Sequence, residues 1–253
     1  MTSQQRAAFF DVDNTLVRGS TLYFLGRGMY QRGFFTKADI SRFVVANLRF
    51  RMTGTEKADV INRFQNAATD FVAGHPVADI LKIGEEIYDE YVSPKLWQGT
   101  YEIARNHINN GEAVWLVTAA PQDMANIIAK KLGFTGAIGS RVCIKDGIYT
   151  GELEGKLLHG IEKAHAIRAL AEKENYDLSQ CYAYSDSHND LPLLTVVSHP
   201  SAINPDAILR IKALAEKWPI HDFRRARYLN RLLGPAVSRA AAIATLLIPR
   251  KRR

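Results

Sequence analysis

The chain has 253 residues, more than one average domain and fewer than two full-sized ones. Its 47% apolar and 23% charged residues are those of an ordinary soluble globular protein with a sizeable core. The net charge of +7 suggests a nucleic-acid partner only until it is located: from His221 onward nine Lys or Arg face one acid, Asp222, so the rest is close to neutral and no nucleic acid is expected.

Two cysteines, Cys143 and Cys181, have neither metal-ligand spacing nor disulfide-scaffold density, and Met1 to Arg6 lead into the first strand without an apolar signal segment. A cytoplasmic protein is predicted.

Ala7 to Val12 is apolar enough to be buried on both faces, as parallel strands are. It ends in Asp11-Val12-Asp13-Asn14-Thr15, so two acids arrive at a strand's carboxyl end, where open α/β sheets place their ligands. Such close acids call for a proton or a hard cation between them, with magnesium the simplest choice. Taken alone, an Asp-rich turn is the competing reading.

Residues 18–94 read as helical. Lys37 to Leu48 and Glu56 to Phe64 space apolar residues three and four apart, with Thr36 and Thr55 as candidate caps, and Ile80 to Tyr91 continues the pattern. Alternation then resumes: helix Gly99 to Asn110, strand Ala113 to Thr118, helix Gln122 to Leu132 stopped by Gly133. A strand Ala137 to Ile144, the Lys145-Asp146-Gly147 turn and a strand Ile148 to Gly151 follow. A helix Glu162 to Asn175 precedes strand Cys181 to Tyr184, and short strands near Ser201 to Ile203 and Pro219 to Phe223 complete the pattern. The expected fold is α/β, a doubly wound parallel sheet with a helical insertion behind the first strand. Its predicted divisions are a core of residues 1–17 and 95–223, an insertion of 18–94 and a basic tail of 224–253.

In the tail, Arg224, Arg227 and Arg231 share one helical face opposite Ala226, Leu229 and Leu233, ahead of an apolar run from Ala236 to Ile248 and a basic end. The run is too short to span a bilayer, which needs about 20 residues. Reversible docking on the cytoplasmic membrane face and packing on the core or on a partner subunit in a homodimer are both open.

Other strand ends add polar groups. Thr118 can offer a hydroxyl and the following amides, including that of Ala119, to a phosphate at a helix N-terminus. Asp186 and Asp190 are one helical turn apart. A lysine suits the charge crowding of phosphoryl transfer; Lys163 and Lys156 are the candidates. His188 reads as a surface histidine.

Phe9-Phe10-Asp11-Val12-Asp13-Asn14-Thr15-Leu16-Val17 resembles the first motif of the haloacid dehalogenase superfamily, in the subfamily IB branch close to phosphoserine phosphatases. Ser185-Asp186-Ser187-His188-Asn189-Asp190-Leu191-Pro192 resembles the fourth motif, Thr118 stands where the second has Ser or Thr, and Lys163 matches the third in its distance from Asp186. The resemblance spans about residues 7–223 and makes 18–94 a helical cap. It implies Asp11 as nucleophile, Asp13 as general acid and base, and magnesium held by Asp11, Asp186 and the Asp13 carbonyl. Asn189 would stand near the phosphate, with Asp190 orienting Lys163 or metal-bound water.

The activity so implied is phosphomonoester hydrolysis on a small organic phosphate through an aspartyl-phosphate. Ser20 stands where phosphoserine phosphatases carry a Glu for the substrate's amino group, and a hydroxyl cannot offset an ammonium as a carboxylate does. Phosphoserine itself, a lysophospholipid or glycerol phosphate at a membrane, phosphotransfer to another acceptor, and a vestigial binding module are the alternatives. Asp13 argues against dehalogenase and ion-pumping chemistry, whose first motifs lack this second acid.

Overall fold

The computed structural model describes residues 6–34, 69 and 72–224. The strand β1 (Ala7–Phe10) is wholly buried, and its side chains alternate between two cores. Ala8 and Phe10 enter one, Ala7 and Phe9 the other, as the two-residue period of a strand covered on both faces requires.

Helices α1 (Thr21–Gln31), α2 (Val77–Ile87), α3 (Gln98–Asn109) and α4 (Gln122–Leu132) supply Leu25, Ile83, Ala104 and Ile128 to the Phe10 side. Helices α5 (Ile161–Glu174), α6 (Leu191–Leu194) and α7 (Ala207–Ala215) supply Ile167, Leu193 and Leu209 to the Phe9 side.

The main sheet contains β1, β2 (Ala113–Pro121), β3 (Gly136–Ser140), β6 (Tyr182–Ser185), β7 (His199–Ile203) and β8 (Ile220–His221). Its order is β3-β2-β1-β6-β7-β8 and every pairing is parallel, the doubly wound arrangement expected. The order reverses between β1 and β6, so the ligand crevice of such a sheet falls at their carboxyl ends. The β1 register sets Phe10 beside Leu116 and Tyr184. Asp11, Thr118 and Asp186 consequently stand within two residues of one level.

Three expectations are corrected. The predicted strand Ala137 to Ile144 is two strands: β3 stays in the main sheet, while β4 (Val142–Lys145) pairs antiparallel with β5 (Ile148–Leu153) in a separate ribbon. Positive φ at Asp146 and Gly147 makes the tight turn that closes it. Thr118 does not end its strand, because β2 continues to Pro121 with an irregularity after Val117. Side chains hold that extension: Ser140 Oγ donates to the Ala119 carbonyl at 2.9 Å, and Gln122 bonds both Gly139 N–H and the Ala137 carbonyl. Finally, α2 stops at Ile87, and a wide π turn (Tyr88–Val92) and a 3₁₀ turn (Ser93–Lys95) follow, where Pro94 supplies no N–H to continue the ladder.

The predicted helices Lys37 to Leu48 and Glu56 to Phe64, with caps Thr36 and Thr55, lie outside the described residues, as does the tail beyond Arg224. Among the described residues no helix is long and apolar enough to cross a membrane.

Gly139 shows how tightly β3 and the start of α4 are joined. A Cβ there would stand 2.8 Å from Gln122 Cα and 2.9 Å from the Ala120 carbonyl oxygen, both backbone atoms. Gly139→Ala is therefore expected to destabilise the fold by about 1–3 kcal/mol, read from urea unfolding; unchanged stability would contradict this packing.

Candidate active site

Asp11 follows β1 and is buried, its backbone N–H donating to the Tyr184 carbonyl at 2.9 Å. Lys163, in the first turn of α5 and equally buried, reaches Asp11 Oδ1 at 2.6 Å and Asp190 Oδ2 at 2.8 Å. Ser185 Oγ donates to the same Asp190 oxygen at 2.7 Å. Lys156, the competing lysine, is exposed and pairs with Glu162 at 2.8 Å instead.

On the other side of Asp11, the buried Thr15 hydroxyl lies 2.9 Å from Asp11 Oδ2 and 3.3 Å from Asp186 Oδ1. One hydroxyl proton can serve only one of these carboxylates at a time. Thr15 is anchored from behind, since Thr100 Oγ1 donates to its carbonyl at 2.9 Å.

Two carboxylates thus flank one ammonium, and a third, Asp186, shares the Thr15 hydroxyl with Asp11. Burial pushes the Asp186 carboxyl up to about 7, reinforced by Asp190. Burial also raises Asp11, with Lys163 opposing and Asp190 and Asp186 adding to the shift. For Lys163, burial works against the charge, but Asp11 and Asp190 outweigh it and hold the pKa above the ordinary lysine value. Negative charge left over among hard oxygen donors suits magnesium.

Among the described residues no three His, Cys, Asp or Glu side chains group as a metal cage. The Asp13 side chain is engaged by the start of α1. Its Oδ1 accepts from Thr21 N–H at 2.9 Å and from Thr21 Oγ1 at 2.7 Å. The carboxylates of Asp11 and Asp186, linked through Thr15, still fit magnesium, which commonly takes one or two carboxylates and completes its shell with water and substrate phosphate.

Ser20 is the N-cap of α1, its Oγ 3.5 Å from Tyr23 N–H, and the first turn of that helix carries no acid. Thr118 is buried, and its Oγ1 accepts from Ala120 N–H at 3.2 Å, which curls the backbone at that strand end. Ala119 turns its carbonyl to Ser140. Asn189 is exposed beside the acidic cluster, with its N–H on Ser187 Oγ at 3.2 Å.

Sequence reasoning missed two supports, Thr21 and Asp206. Thr21 could have been found as the residue following the Ser20 cap; Asp206, which binds His188, carries only a helix-cap signal.

A buried carboxylate paired with a lysine, at the switch point of a doubly wound sheet and beside further acids, is an arrangement suited to a phosphate-handling hydrolase. The chain belongs to the haloacid dehalogenase-like hydrolases, whose family model matches residues 8–195, and it is a phosphatase similar to proteins named phosphoserine phosphatases.

It is 46% identical over 246 residues to a Mycobacterium tuberculosis protein named phosphoserine phosphatase SerB1, covering 94% of this chain and 80% of that one. A Bordetella pertussis protein of unknown function superposes with a TM-score of 0.77 at 27% identity, over 87% of this chain and all of the other. A solved phosphoserine phosphatase in apo form gives a TM-score of 0.60 at 20% identity, over 91% and 98% of the two chains, a likeness of fold.

Proposed function

We propose that this chain is a magnesium-dependent phosphomonoester hydrolase that works through an aspartyl-phosphate on Asp11. The observation that carries the reading is Asp11 itself: a buried carboxylate with one oxygen on Lys163 and the other beside Thr15 and Asp186.

Asp11 and Asp186, with the Asp13 carbonyl, would hold magnesium, which when bound neutralises charge on the phosphoryl group and its acid neighbours. An Asp11 oxygen attacks phosphorus, forming the O–P bond as the bond to the substrate alkoxide breaks. Lys163 offsets charge between carboxylate and phosphate. Asp13, fixed through Oδ1 by Thr21, passes a proton to the departing alkoxide and later takes one from the water that attacks the acyl phosphate, so free phosphate and Asp11 are restored. Thr118 and Asn189 would bind the phosphate oxygens, and Asp190 holds Lys163 in line.

Residues 18–94 act as the cap that selects the substrate, over a core of 1–17 and 95–223. Free Cys143 and Cys181 favour a reducing, cytoplasmic setting.

For the substrate, the neutral Ser20 engaged as a helix cap favours a small phosphomonoester without an ammonium next to the phosphate-bearing carbon chain. Phosphoserine is the second reading, favoured by the name of the 46% identical relative. The two separate in a magnesium-supplemented screen of phosphoserine, glycerol phosphates, sugar phosphates and lysophosphatidic acid, run with and without alcohol acceptors. We expect another ester to exceed phosphoserine in kcat/KM, with free phosphate as product. A tenfold lead for phosphoserine would overturn the substrate reading, and phosphate appearing on the alcohols would replace hydrolysis by transfer.

A further inference from the structure

The turn Asn204-Pro205-Asp206, between β7 and α7, touches both acid-bearing loops at once. Asp206 N–H donates to the Asp186 carbonyl at 2.8 Å. The Asp206 side chain accepts from His188 N–H at 2.8 Å and from His188 Nδ1 at 2.9 Å through Oδ2, while Oδ1 caps α7 by accepting from Leu209 N–H at 2.8 Å. Two residues earlier, the buried Asn204 directs Nδ2 to the Asn14 carbonyl, 3.4 Å away in the loop between Asp13 and Thr15. Its Oδ1 accepts from Phe223 N–H at 2.8 Å, and its own N–H donates to the His221 carbonyl at 2.8 Å, so the turn is itself held by β8. Asn204 has φ of +46°, a backbone conformation that Asn tolerates better than most residues.

We propose that Asp206 is a positioning residue for Asp186: it holds the loop from Asp186 to His188 at three points, so that the Asp186 carboxylate stands ready opposite Asp11. The inference rests on the magnesium reading above. Asp186 leaves the sheet into a short loop before the 3₁₀ turn His188–Asp190, and mutual repulsion with Asp190 and Asp11 pushes it away from the others. A brace that fixes the loop backbone opposes that displacement before any cation arrives, and such outer contacts typically change metal affinity by about 10–100-fold. His188 is thereby given a task other than metal ligation: its backbone and ring are the grip by which Asp206 holds the loop.

The two functions of Asp206, cap and brace, can be separated. Asp206→Ser keeps a good N-cap but is too short to serve His188 and Leu209 together; Asp206→Asn keeps the size but offers an amide that cannot accept from the His188 N–H while its oxygen caps α7. Both variants and the parent chain are compared by Mn²⁺ binding to the metal-free protein, followed by electron paramagnetic resonance of free Mn²⁺, and by magnesium-dependent hydrolysis of p-nitrophenyl phosphate.

The expected result is a roughly tenfold weaker Mn²⁺ affinity in both variants. The magnesium concentration for half-maximal rate should rise by the same factor, with most of kcat recovered at saturating magnesium and a melting temperature within a few degrees of the parent. Parent-like Mn²⁺ affinity in both variants overturns the brace. So does a loss seen only where the melting temperature collapses, which would make Asp206 a helix cap alone. A parent chain that binds no Mn²⁺ refutes the magnesium reading, and with it the purpose assigned to the brace.

Discussion

Asp11→Asn is expected to lower magnesium-dependent phosphatase turnover by at least about 10⁴-fold while the protein remains folded. The amide is a poor nucleophile and a weaker ligand for a hard cation, yet it keeps the size of the side chain and can still face Lys163 and Thr15. Asp13→Asn should differ in kind. It retains the oxygen that Thr21 binds but cannot shuttle a proton, so phosphate binding should persist while turnover falls steeply. Steady-state kinetics, with phosphate inhibition as a measure of binding, checks both; near-parental activity of Asp11→Asn would end the mechanism.

Lys163→Met should have the second largest effect, on stability as well as rate. Removing the ammonium leaves Asp11 and Asp190 buried without their shared partner, a change that costs about 3–5 kcal/mol when one member of a buried ion pair is deleted. The loss should grow with pH. Asp11 and Asp186 already have carboxyl pKa values raised above the unfolded value, Asp186 to about 7, so the folded state holds protons that the unfolded state has released. For such groups stability is fullest below the unfolded pKa and declines as pH rises through the folded one. Deleting Lys163 removes a charge that holds Asp11 and Asp186 down, and raises both further. The metal-free variant should therefore fall further below the parent at about pH 8 than at about pH 5, as read by urea unfolding at each pH. Equal deficits at both would contradict this account of the acid cluster. Turnover should fall by at least about 10²-fold.

Much of this site was legible because its chemistry is concentrated at strand ends. The apolar run Ala7 to Phe10 announces a strand buried on both faces, and the acids that follow have nowhere to go except the edge of the sheet. Lys163 over Lys156 rested on the resemblance to the third motif; in the structure Lys163 is buried on Asp11 while Lys156 is exposed on Glu162. The supports were not readable in this way. Thr21 holds Asp13 across eight residues through a helix start, and Asp206 grips His188 across 18, contacts that no local pattern encodes. The division of the predicted strand Ala137 to Ile144 was likewise hidden, because its apolar character runs on while the partners change from β2 to β5. Thr118 read as a strand end because Ala119-Ala120-Pro121, poor strand formers, follow it; Ser140 and Gln122 carry the strand onward through side-chain bonds to backbone.

The most direct measurement is chemical trapping of the intermediate. A substrate-loaded enzyme, quenched in acid and reduced with borohydride, converts an acyl phosphate on an aspartate to homoserine, which peptide mass spectrometry locates. The expected result is homoserine at position 11 alone, absent without substrate and absent in Asp11→Asn. Trapping at another residue, or robust turnover with an unmodified Asp11 under the same quench, would contradict the assignment of Asp11 as the nucleophile.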